Sequence, residues 1–389
     1  MRLLFVHDHP FFVLKNTVFS GDSMPKTVWD NYLMNFDNVT VFGRKSNNLK
    51  DKKSVSSGNE NVKFYLTQNY SSIINLFLNY KKIKKELSVL IIEADIVLVR
   101  LPSVLGVIAA FSAFKLDKKV WVEIVGNANE AMSSHGSILG ILIAPIFHKL
   151  MKYVVSKANY TSYVTENKLQ KDYPHNKNCI TVSISNVIIK TVLEESQIDS
   201  LRFTSNNLKI ALIGGFDARY KGQDILLKAI GLLPEHIKNN IQLYFVGAGD
   251  FKWVISLANE LNLLSCIKFI GSKESGSPIF ELLKEMSLYI QPSFTEGMPR
   301  ALLEAMSMGC PIMGSIVGGI PDAVSKDLLH QKGDFKTIAK QIERLYFNRE
   351  ILKKESFRSI AVVRPYLKNN LDAKRKILYK QMNKVSDYS

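Results

Sequence analysis

Residues 288 to 306 carry the most informative stretch of the chain, LYIQPSFTEGMPRALLEAM. The apolar run Leu288 to Ile290 predicts a buried strand, and Pro299 with the cation after it predicts the first turn of a helix. Backbone N–H groups at the start of a helix lack intrahelical partners, and together with the helix dipole they attract an anion such as a diphosphate. Glu296 lies in the turn and Glu304 lies inside the helix.

Two acidic side chains beside an anion site are unfavourable if the ligand is only a phosphate. Carboxylates, however, accept strong hydrogen bonds from the hydroxyl groups of a sugar or a ribose. A nucleotide sugar carries a diphosphate for the helix start and hydroxyls for the two carboxylates. The segment therefore indicates a nucleotide-sugar site.

This strand-turn-helix, with two glutamates and a Gly-Met-Pro turn, resembles the retaining family-4 glycosyltransferases of the GT-B fold. The downstream segments Gly309 to Pro311 and Gly318-Gly319 fit the same pattern. The resemblance implies that Glu296 contacts the donor sugar, that Glu304 contacts the nucleotide ribose, and that the segment between them surrounds the diphosphate. That segment comprises Gly297, Met298, Pro299, Arg300, Ala301 and Leu302.

A second glycine-rich turn follows the predicted strand Lys209 to Ile213. Gly214 and Gly215 let the backbone approach a ligand closely, and Lys221 stands near the start of the next predicted helix as a mobile positive charge. The segment resembles the family's Gly-Arg-Leu and Lys-Gly elements, whose Arg and Lys neutralise the leaving diphosphate. Lys221 matches the lysine, and we predict that it is catalytic together with Glu296. Gly215 stands where the family has the arginine.

Neighbouring residues would complete this donor site. Either Arg219 or Arg300 supplies the missing cation, or the helix terminus and Lys221 suffice. Gly247 and Gly271 end two further predicted strands and resemble the family's loops near the nucleotide base. The resemblance covers the second half of the chain well and the first half only in architecture.

The first half is expected to hold the acceptor. Gly21 precedes a predicted helix, where the family often has a glycine-rich loop that faces the diphosphate. After the predicted strand Val120 to Val125, many relatives place a histidine near the reacting sugar, but none stands there in this chain. Glu123 or Asn127 is a candidate for acceptor contact, although an asparagine at this point also fits a helix cap.

The chain has 389 residues, enough for two domains, and 46% of them are hydrophobic, as in a globular protein. Strand and helix patterns alternate, which predicts α/β architecture with two Rossmann-like parallel sheets that face each other across a cleft. The predicted divisions are an acceptor-binding domain at 1–190, a linker at 191–207 and a donor-binding domain at 208–365. A C-terminal helix at 366–389 would cross back to the first domain, as the resembled family implies.

The formal net charge is +16, and 24 of the basic residues and 14 of the acidic ones lie in 1–190. Such an excess suits an anionic surface, and a membrane is favoured over nucleic acid because no nucleic-acid motif accompanies it. A lysine-rich solvated surface is the alternative. The helical stretch Ile138 to Phe147 is too short to cross a bilayer, but its basic continuation to Lys157 could lie flat on one or pack on the sheet.

The three cysteines, Cys179, Cys266 and Cys310, lie far apart and form no paired motif, which suits a reducing compartment. The chain opens directly on a predicted strand, with no pattern of a signal peptide. We therefore expect a cytoplasmic protein that associates peripherally with the inner face of the membrane.

No Asp-x-Asp occurs in the sequence and no histidine pair has ligand spacing, so we expect no metal site and no cofactor besides the nucleotide-sugar co-substrate, UDP- or GDP-linked. The predicted reaction moves a sugar, with UDP-sugar favoured, to a lipid-linked saccharide or other glycan with retention of configuration. The alternatives are a nucleotide-sugar epimerase of the same fold and a non-catalytic relative that binds a glycan or a membrane. A dehydrogenase is disfavoured because no Gly-x-Gly-x-x-Gly follows the first strand.

Overall fold

The structure of the protein is a computed structural model, and it describes residues 1–20, 24–46, 55–68, 73–133, 138–198, 201–217, 219–273 and 276–386. Two β-sheets organise these ranges. The chain passes from the first sheet to the second between Ser183 and Leu208. The predicted linker at 191–207 falls within this interval, while the exact limits of the two domains stay a prediction.

The first half of the chain forms one sheet flanked by helices. Its strands are β1 Arg2–Leu14, β2 Thr17–Ser20, β3 Asn38–Lys45, β4 Val55–Ser56, β5 Val62–Thr67, β6 Ile96–Leu101, β7 Lys119–Ile124, β8 Tyr160–Tyr163 and β9 Ile180–Ser183. Its helices are α1 Thr27–Leu33, α2 Ile73–Leu78, α3 Tyr80–Glu93, α4 Val104–Lys115, α5 Ala128–Ser133, α6 Ile138–Lys157 and α7 Lys168–Asp172.

Parallel pairing dominates this first sheet. Strand β1 pairs in parallel with β3 on one side and with β6 on the other, and β7, β8 and β9 continue beyond β6. The central strands β6, β7 and β8 are buried on both faces, as parallel sheets with helices on each side require. The carboxyl ends of these strands therefore meet at one edge of the sheet.

An antiparallel ribbon at one side of the sheet was not expected. Strand β1 continues as far as Leu14 and turns back through β2, which pairs antiparallel with both β1 and β4. Lys15 and Asn16 form the turn with φ angles of 45° and 63°. Asparagine tolerates this left-handed conformation, so Asn16 between two apolar runs was the available signal.

The second half forms the other sheet. Its strands are β10 Leu208–Ile213, β11 Ile241–Val246, β12 Ile267–Gly271, β13 Leu288–Gln291, β14 Ile312–Ser315 and β15 Leu329–His330. Its helices, with the short helix before the sheet, are α8 Leu201–Thr204, α9 Gln223–Gly231, α10 Glu235–Lys238, α11 Lys252–Glu260, α12 Ser277–Lys284, α13 Arg300–Ser307, α14 Ile320–Ala323, α15 Phe335–Phe347, α16 Arg349–Val363 and α17 Lys368–Ser386.

All pairings of this second sheet within the described ranges are parallel, in the order β12-β11-β10-β13-β14-β15. The chain builds outward from β10 through β11 to β12, and then returns to the other side of β10 with β13. The order therefore reverses between β10 and β13. Ligands of open α/β sheets bind at such a reversal, beyond the carboxyl ends of the strands.

Helix α17 crosses back to the first sheet, as the resemblance implied. Its residues Leu371, Leu378 and Met382 are buried in the aromatic cluster that covers one face of that sheet. The hydroxyl of Tyr379 donates a hydrogen bond of 2.7 Å to the backbone oxygen of Asn31 in α1. The two parallel-sheet halves and this returning helix confirm the predicted fold class.

Stability should fall in mild acid because of His330, whose side chain is only 2% exposed at the end of β15. Burial lowers the pKa of His330 from 6.5 to about 4. The folded state therefore disfavours the proton that the unfolded state takes up, and the stabilisation present above pH 6.5 is lost as the pH falls toward about 4.

Between about pH 7.5 and about pH 5, His330 should lower the free energy of unfolding of the parent protein by about 2 kcal/mol. We expect the His330→Gln variant to lose about 2 kcal/mol less than the parent protein over the same pH range. Urea unfolding of both proteins at the two pH values measures this difference. The same loss in the variant as in the parent protein would contradict the assignment to His330.

Candidate active site

The reversal of strand order brings the two predicted catalytic residues together. Lys221 follows β10, and Glu296 follows its neighbour β13. The Nζ atom of Lys221 lies 2.7 Å from Oε1 of Glu296, and the two side chains are 18% and 9% exposed. A nearly buried ion pair thus stands at the carboxyl edge of the second sheet.

Two further side chains, which the sequence analysis missed, donate to the same carboxylate oxygen. The hydroxyl of Ser293 donates to Glu296 Oε1 at 2.8 Å, and the amide of Gln291 donates to it at 3.2 Å. Oε2 of Glu296 has no partner among the described residues. One oxygen is therefore held in place by three donors, while the other can accept a hydrogen bond from a ligand hydroxyl. The two-residue spacing at the end of β13, Gln291-x-Ser293, was the available signal.

Helix α13 begins at Arg300, one residue later than predicted. Pro299 precedes it as the N-cap residue, in an extended conformation with φ −73° and ψ 120°, as is usual at an N-cap. The N–H groups of its first turn lack intrahelical partners, as in any α-helix, and no capping side chain accepts from them. Arg300 is exposed and has no partner among the residues that the structure describes.

Glu304 lies one turn into α13 and is 8% exposed. Its charge and that of Glu296 both act on Tyr289, which is fully buried in β13. Burial first, and then the charges of Glu296 and Glu304, hold the pKa of Tyr289 well above its usual value. Both carboxylates therefore lie close enough to Tyr289 to act on its hydroxyl.

Three predicted glycines lie together at the ends of adjacent strands. The N–H of Gly214 donates to Val246, and the N–H of Gly247 donates to Gly271, both at 2.9 Å. A Cβ atom at Gly247 would lie 2.0 Å from the backbone oxygen of Gly214, and one at Gly214 would lie 2.7 Å from Cγ of Lys221. Gly214 and Gly247 are therefore packed too closely for a side chain, and at Gly271 a φ of 73° favours glycine although the space is open. Their contact with a ligand stays a prediction.

Gly215 and Arg219 lie close to this group. A Cβ atom at Gly215 would have Ala248 as its nearest neighbour, at 3.7 Å, so the position has room for a side chain. The guanidinium of Arg219 stacks on Trp253 at 4.8 Å from the ring centroid. Lys221 ends a short 3-10 turn, and helix α9 begins two residues later, at Gln223.

Glu123, a predicted acceptor-side residue, is bound by two neighbours within the first sheet's aromatic face. Nε of Arg100 donates to it at 2.7 Å, and the hydroxyl of Tyr32 donates at 3.0 Å. The Arg100 and Glu123 side chains are 11% and 15% exposed. This arrangement ties β6, β7 and α1 together, and acceptor contact by Glu123 stays a prediction.

Asn127 acts locally as a helix cap. Its side-chain oxygen accepts from the N–H of Asn129 at 2.9 Å, and its amide donates to Asp172 at 2.7 Å. The side chain thus fixes the start of α5 at the edge of the cleft, and its contact with an acceptor stays a prediction. Gly21 lies outside the described residues.

The two halves touch across the cleft beside Glu296. A Cβ atom at Gly297 would lie 2.5 Å from the backbone oxygen of Val125 in the first half, so the backbones are in direct contact. Glu130 accepts a hydrogen bond of 3.2 Å from the N–H of Gly318. A third contact runs from Asp322 to two N–H groups of the first half, at 2.9 and 3.1 Å. The sequence analysis did not predict these contacts.

Among the described residues, no group of three or more His, Cys, Asp or Glu side chains is placed to hold a metal ion. The cysteines are free thiols within the same ranges.

Two facing Rossmann-like halves with this cleft define the GT-B class of glycosyltransferases. The solved structure of Anabaena Alr3699/HepE in complex with UDP has the same fold, with a TM-score of 0.64, 15% identity and full coverage of both chains. Residues 207–348 match the family described as glycosyl transferases group 1.

Staphylococcus aureus protein CapJ is 35% identical over 355 residues, which are 91% of this chain and 88% of CapJ. The capsular polysaccharide biosynthesis glycosyltransferase CapH of the same species is 32% identical over 145 residues, which are 36% of this chain and 40% of CapH. The chain belongs to the group 1 glycosyltransferases, the family-4 type of GT-B protein that the sequence predicted. It is a glycosyltransferase.

We expect Gly297→Ala to separate the two halves at the cleft. The added Cβ would meet the backbone oxygen of Val125 at 2.5 Å, and this atom cannot rotate away. Sugar transfer should fall by about tenfold or more, because misplacing reacting groups by about an ångström is costly. Small-angle scattering should give a larger radius of gyration.

The matched control is Gly126→Ala at the same rim, where the new Cβ would meet Pro102 at an ordinary 3.6 Å. We expect this control to keep the activity and dimensions of the parent protein. Full activity in Gly297→Ala with unchanged scattering would show that the contact is not needed.

Proposed function

We propose that the protein moves a hexose from a UDP-sugar to a lipid-linked saccharide, with retention of configuration and without a metal ion. The observation that carries this proposal is the Lys221–Glu296 pair beside the uncapped start of α13. A cation with spare donors, a carboxylate with a free oxygen and unpaired amides together complement a sugar diphosphate.

Glu296 is proposed to orient the donor sugar. Its Oε1 atom is already saturated by Lys221, Ser293 and Gln291, which leaves Oε2 to accept from a sugar hydroxyl. Because three donors fix the carboxylate, little rotational freedom is lost when the sugar binds. Glu304 lies on the helix whose first backbone N–H groups would bind the diphosphate, and it is proposed to accept hydrogen bonds from the ribose hydroxyls.

Lys221 is proposed to stabilise the departing diphosphate. An ammonium has three N–H donors, and the bond to Glu296 uses one of them. The amides at the start of α13 and the guanidinium of Arg300 would share the remaining charge, and Arg300 is favoured over Arg219 because Arg219 is stacked on Trp253. Arg300 would thus replace the arginine that is missing at Gly215.

In the proposed reaction the bond from the anomeric carbon to the diphosphate oxygen breaks, and its electron pair leaves with the diphosphate. The acceptor oxygen forms its bond on the same face of the sugar, and its proton passes to the departing diphosphate. Glu296 stabilises the positive charge that develops on the sugar ring. No covalent intermediate with the enzyme is required.

The choice of UDP is supported by relatives of the same fold. The HepE structure holds UDP, and another structure of the same protein holds UDP-glucose. The proposed glycan acceptor is supported by CapH, which is named for capsular polysaccharide biosynthesis. A lipid-linked acceptor at the cytoplasmic face of the membrane fits the basic excess in residues 1–190.

Lys221→Ala should lower the rate of transfer by about a hundredfold or more, because one preorganised donor to the transition state is lost. The measurement is release of nucleoside diphosphate, with a native lipid extract as the acceptor. Retention should appear as an unchanged anomeric configuration in the NMR spectrum of the product.

The matched control for this variant is Lys209→Ala, which removes the lysine of another lysine–glutamate pair, Lys209 with Glu285 at 3.1 Å, at the opposite end of β10. We expect the control to keep full activity. Unchanged turnover in a folded Lys221→Ala protein would remove Lys221 from the mechanism.

A thermal-shift panel of nucleotide sugars tests the donor. A UDP-sugar at about a hundred times its Kd should add about 2.7 kcal/mol to the free energy of unfolding. Glu304→Gln should weaken this effect for UDP as well as for UDP-sugars, whereas Glu296→Gln should weaken it only when the sugar is present. Stabilisation by GDP-sugars alone would contradict the choice of UDP, and conversion of the donor to an isomer without an acceptor would favour an epimerase.

A further inference from the structure

Within the described ranges, helix α6 exposes a row of apolar side chains, one of which, Tyr153, stacks its ring on Phe111 of α4 with 5.5 Å between the centroids. They are Ile141, Leu142, Ile146, Leu150 and Tyr153, with exposed fractions of 50, 67, 61, 37 and 48%. We call these five residues the α6 stripe. Single exposed apolar residues are ordinary, but a contiguous row on one helix marks an interaction site.

The inner face of the same helix packs against the core of the first half. Ala144, Phe147 and Met151 are buried in the core of the first half, and Val154 and Val155 continue the contact. Packing on the sheet was the alternative to membrane contact for this helix, and it explains only the buried inner residues. The α6 stripe lies on the outward side, where a polar face is usual.

The charged side chains around the α6 stripe indicate what kind of surface it contacts. Lys149, Lys152 and Lys157 are exposed on the helix, and residues 138–157 contain no acidic residue. The ammonium of Lys157 lies 6.0 Å from the ring centroid of Tyr153. Lysine is depleted in the cores of protein–protein interfaces, whereas apolar side chains among lysines fit the headgroup region of an anionic bilayer.

We propose that the α6 stripe is the surface by which the protein docks on an anionic lipid bilayer, with α6 parallel to the membrane plane. None of the helices in the described part of the chain is both long and apolar enough to cross a membrane. Docking would therefore bury only the side chains of the α6 stripe, while the lysines remain among the lipid headgroups.

This placement connects the membrane to the cleft. Nδ1 of His148 on α6 lies 2.8 Å from the hydroxyl of Tyr173, which accepts from the N–H of Ala128 at 2.8 Å. Ala128 begins α5, and Glu130 of α5 contacts Gly318 across the cleft. The docked helix and the acceptor edge thus belong to one connected wall. The value of this arrangement for catalysis rests on the proposed function, since a lipid-linked acceptor would enter from the bilayer.

The test is flotation with vesicles of phosphatidylcholine and phosphatidylglycerol, compared with vesicles of phosphatidylcholine alone. The parent protein should bind the anionic vesicles, and added salt should weaken the binding. The double variant Leu142→Ser/Ile146→Ser should lower this binding by about tenfold or more, because two apolar side chains no longer enter the lipid. Lys149→Gln should lower it by about fivefold.

The matched control is Leu232→Ser/Phe347→Ser in the second half, where the side chains are 55 and 67% exposed. We expect this control to bind vesicles as the parent protein does. Thermal unfolding establishes that each variant is folded, and the stabilisation by a UDP-sugar should be the same in all of them. A failure to bind any donor would thus defeat the proposed function without affecting the vesicle result.

A second readout does not depend on the loss of binding. Leu142→Cys labelled with an environment-sensitive dye should shift its emission to the blue on anionic vesicles, whereas labelled Phe347→Cys should not. Cys179 and Cys310 are buried, so labelling needs replacement only of the partly exposed Cys266. Absence of vesicle binding by the parent protein, or undiminished binding by the double variant, would overturn the proposal. A dimer of the parent protein that the double variant abolishes without loss of vesicle binding would assign the α6 stripe to a second copy instead.

Discussion

The ion pair between Lys221 and Glu296 joins two turns that are 75 residues apart in sequence. Removing two charges from water costs several kcal/mol per ion, and a buried pair is tolerated only when further hydrogen bonds satisfy it. Ser293 and Gln291 supply those bonds to the carboxylate. The pair also needs β10 and β13 as neighbours, so the chemistry depends on the reversal of strand order in the second sheet. The strands, the glycine turns and the uncapped helix are positioned by the same reversal.

Much of the second half could be predicted from the sequence, because its signals are local. Apolar runs gave the strands, and a glycine marked the carboxyl end of each of β10, β11 and β12. The spacing of Glu296 and Glu304 around Pro299 identified the helix start and the family. The partners of Glu296 could not be found in this way. Gln291 and Ser293 are ordinary polar residues until the twist of the strand end turns both toward one oxygen atom.

The first half was harder to predict because its contacts are non-local. Glu123 is an isolated carboxylate in the sequence, yet it is bound by Arg100 from the adjacent strand and by Tyr32 from a helix 91 residues away. The antiparallel ribbon depends on a turn at Asn16 that has no glycine. The contacts across the cleft, such as Asp322 with backbone N–H groups of the other half, require the relative placement of two sheets. Periodicity within one segment contains no information about that placement.

The return of α17 has a consequence for how the chain acquires its structure. The hydroxyl of Tyr379 bonds to a residue 348 positions earlier, and the helix completes the aromatic cluster on the face of the first sheet. When the ribosome has made only the first half, α17 does not yet exist, and this face of the nascent sheet is still open to water. Apolar surface of that kind attracts chaperones and favours aggregation. The packing of the first half is therefore complete only after α17, the last helix of the chain, has been synthesised. Folding of the first half thus depends on synthesis of the second.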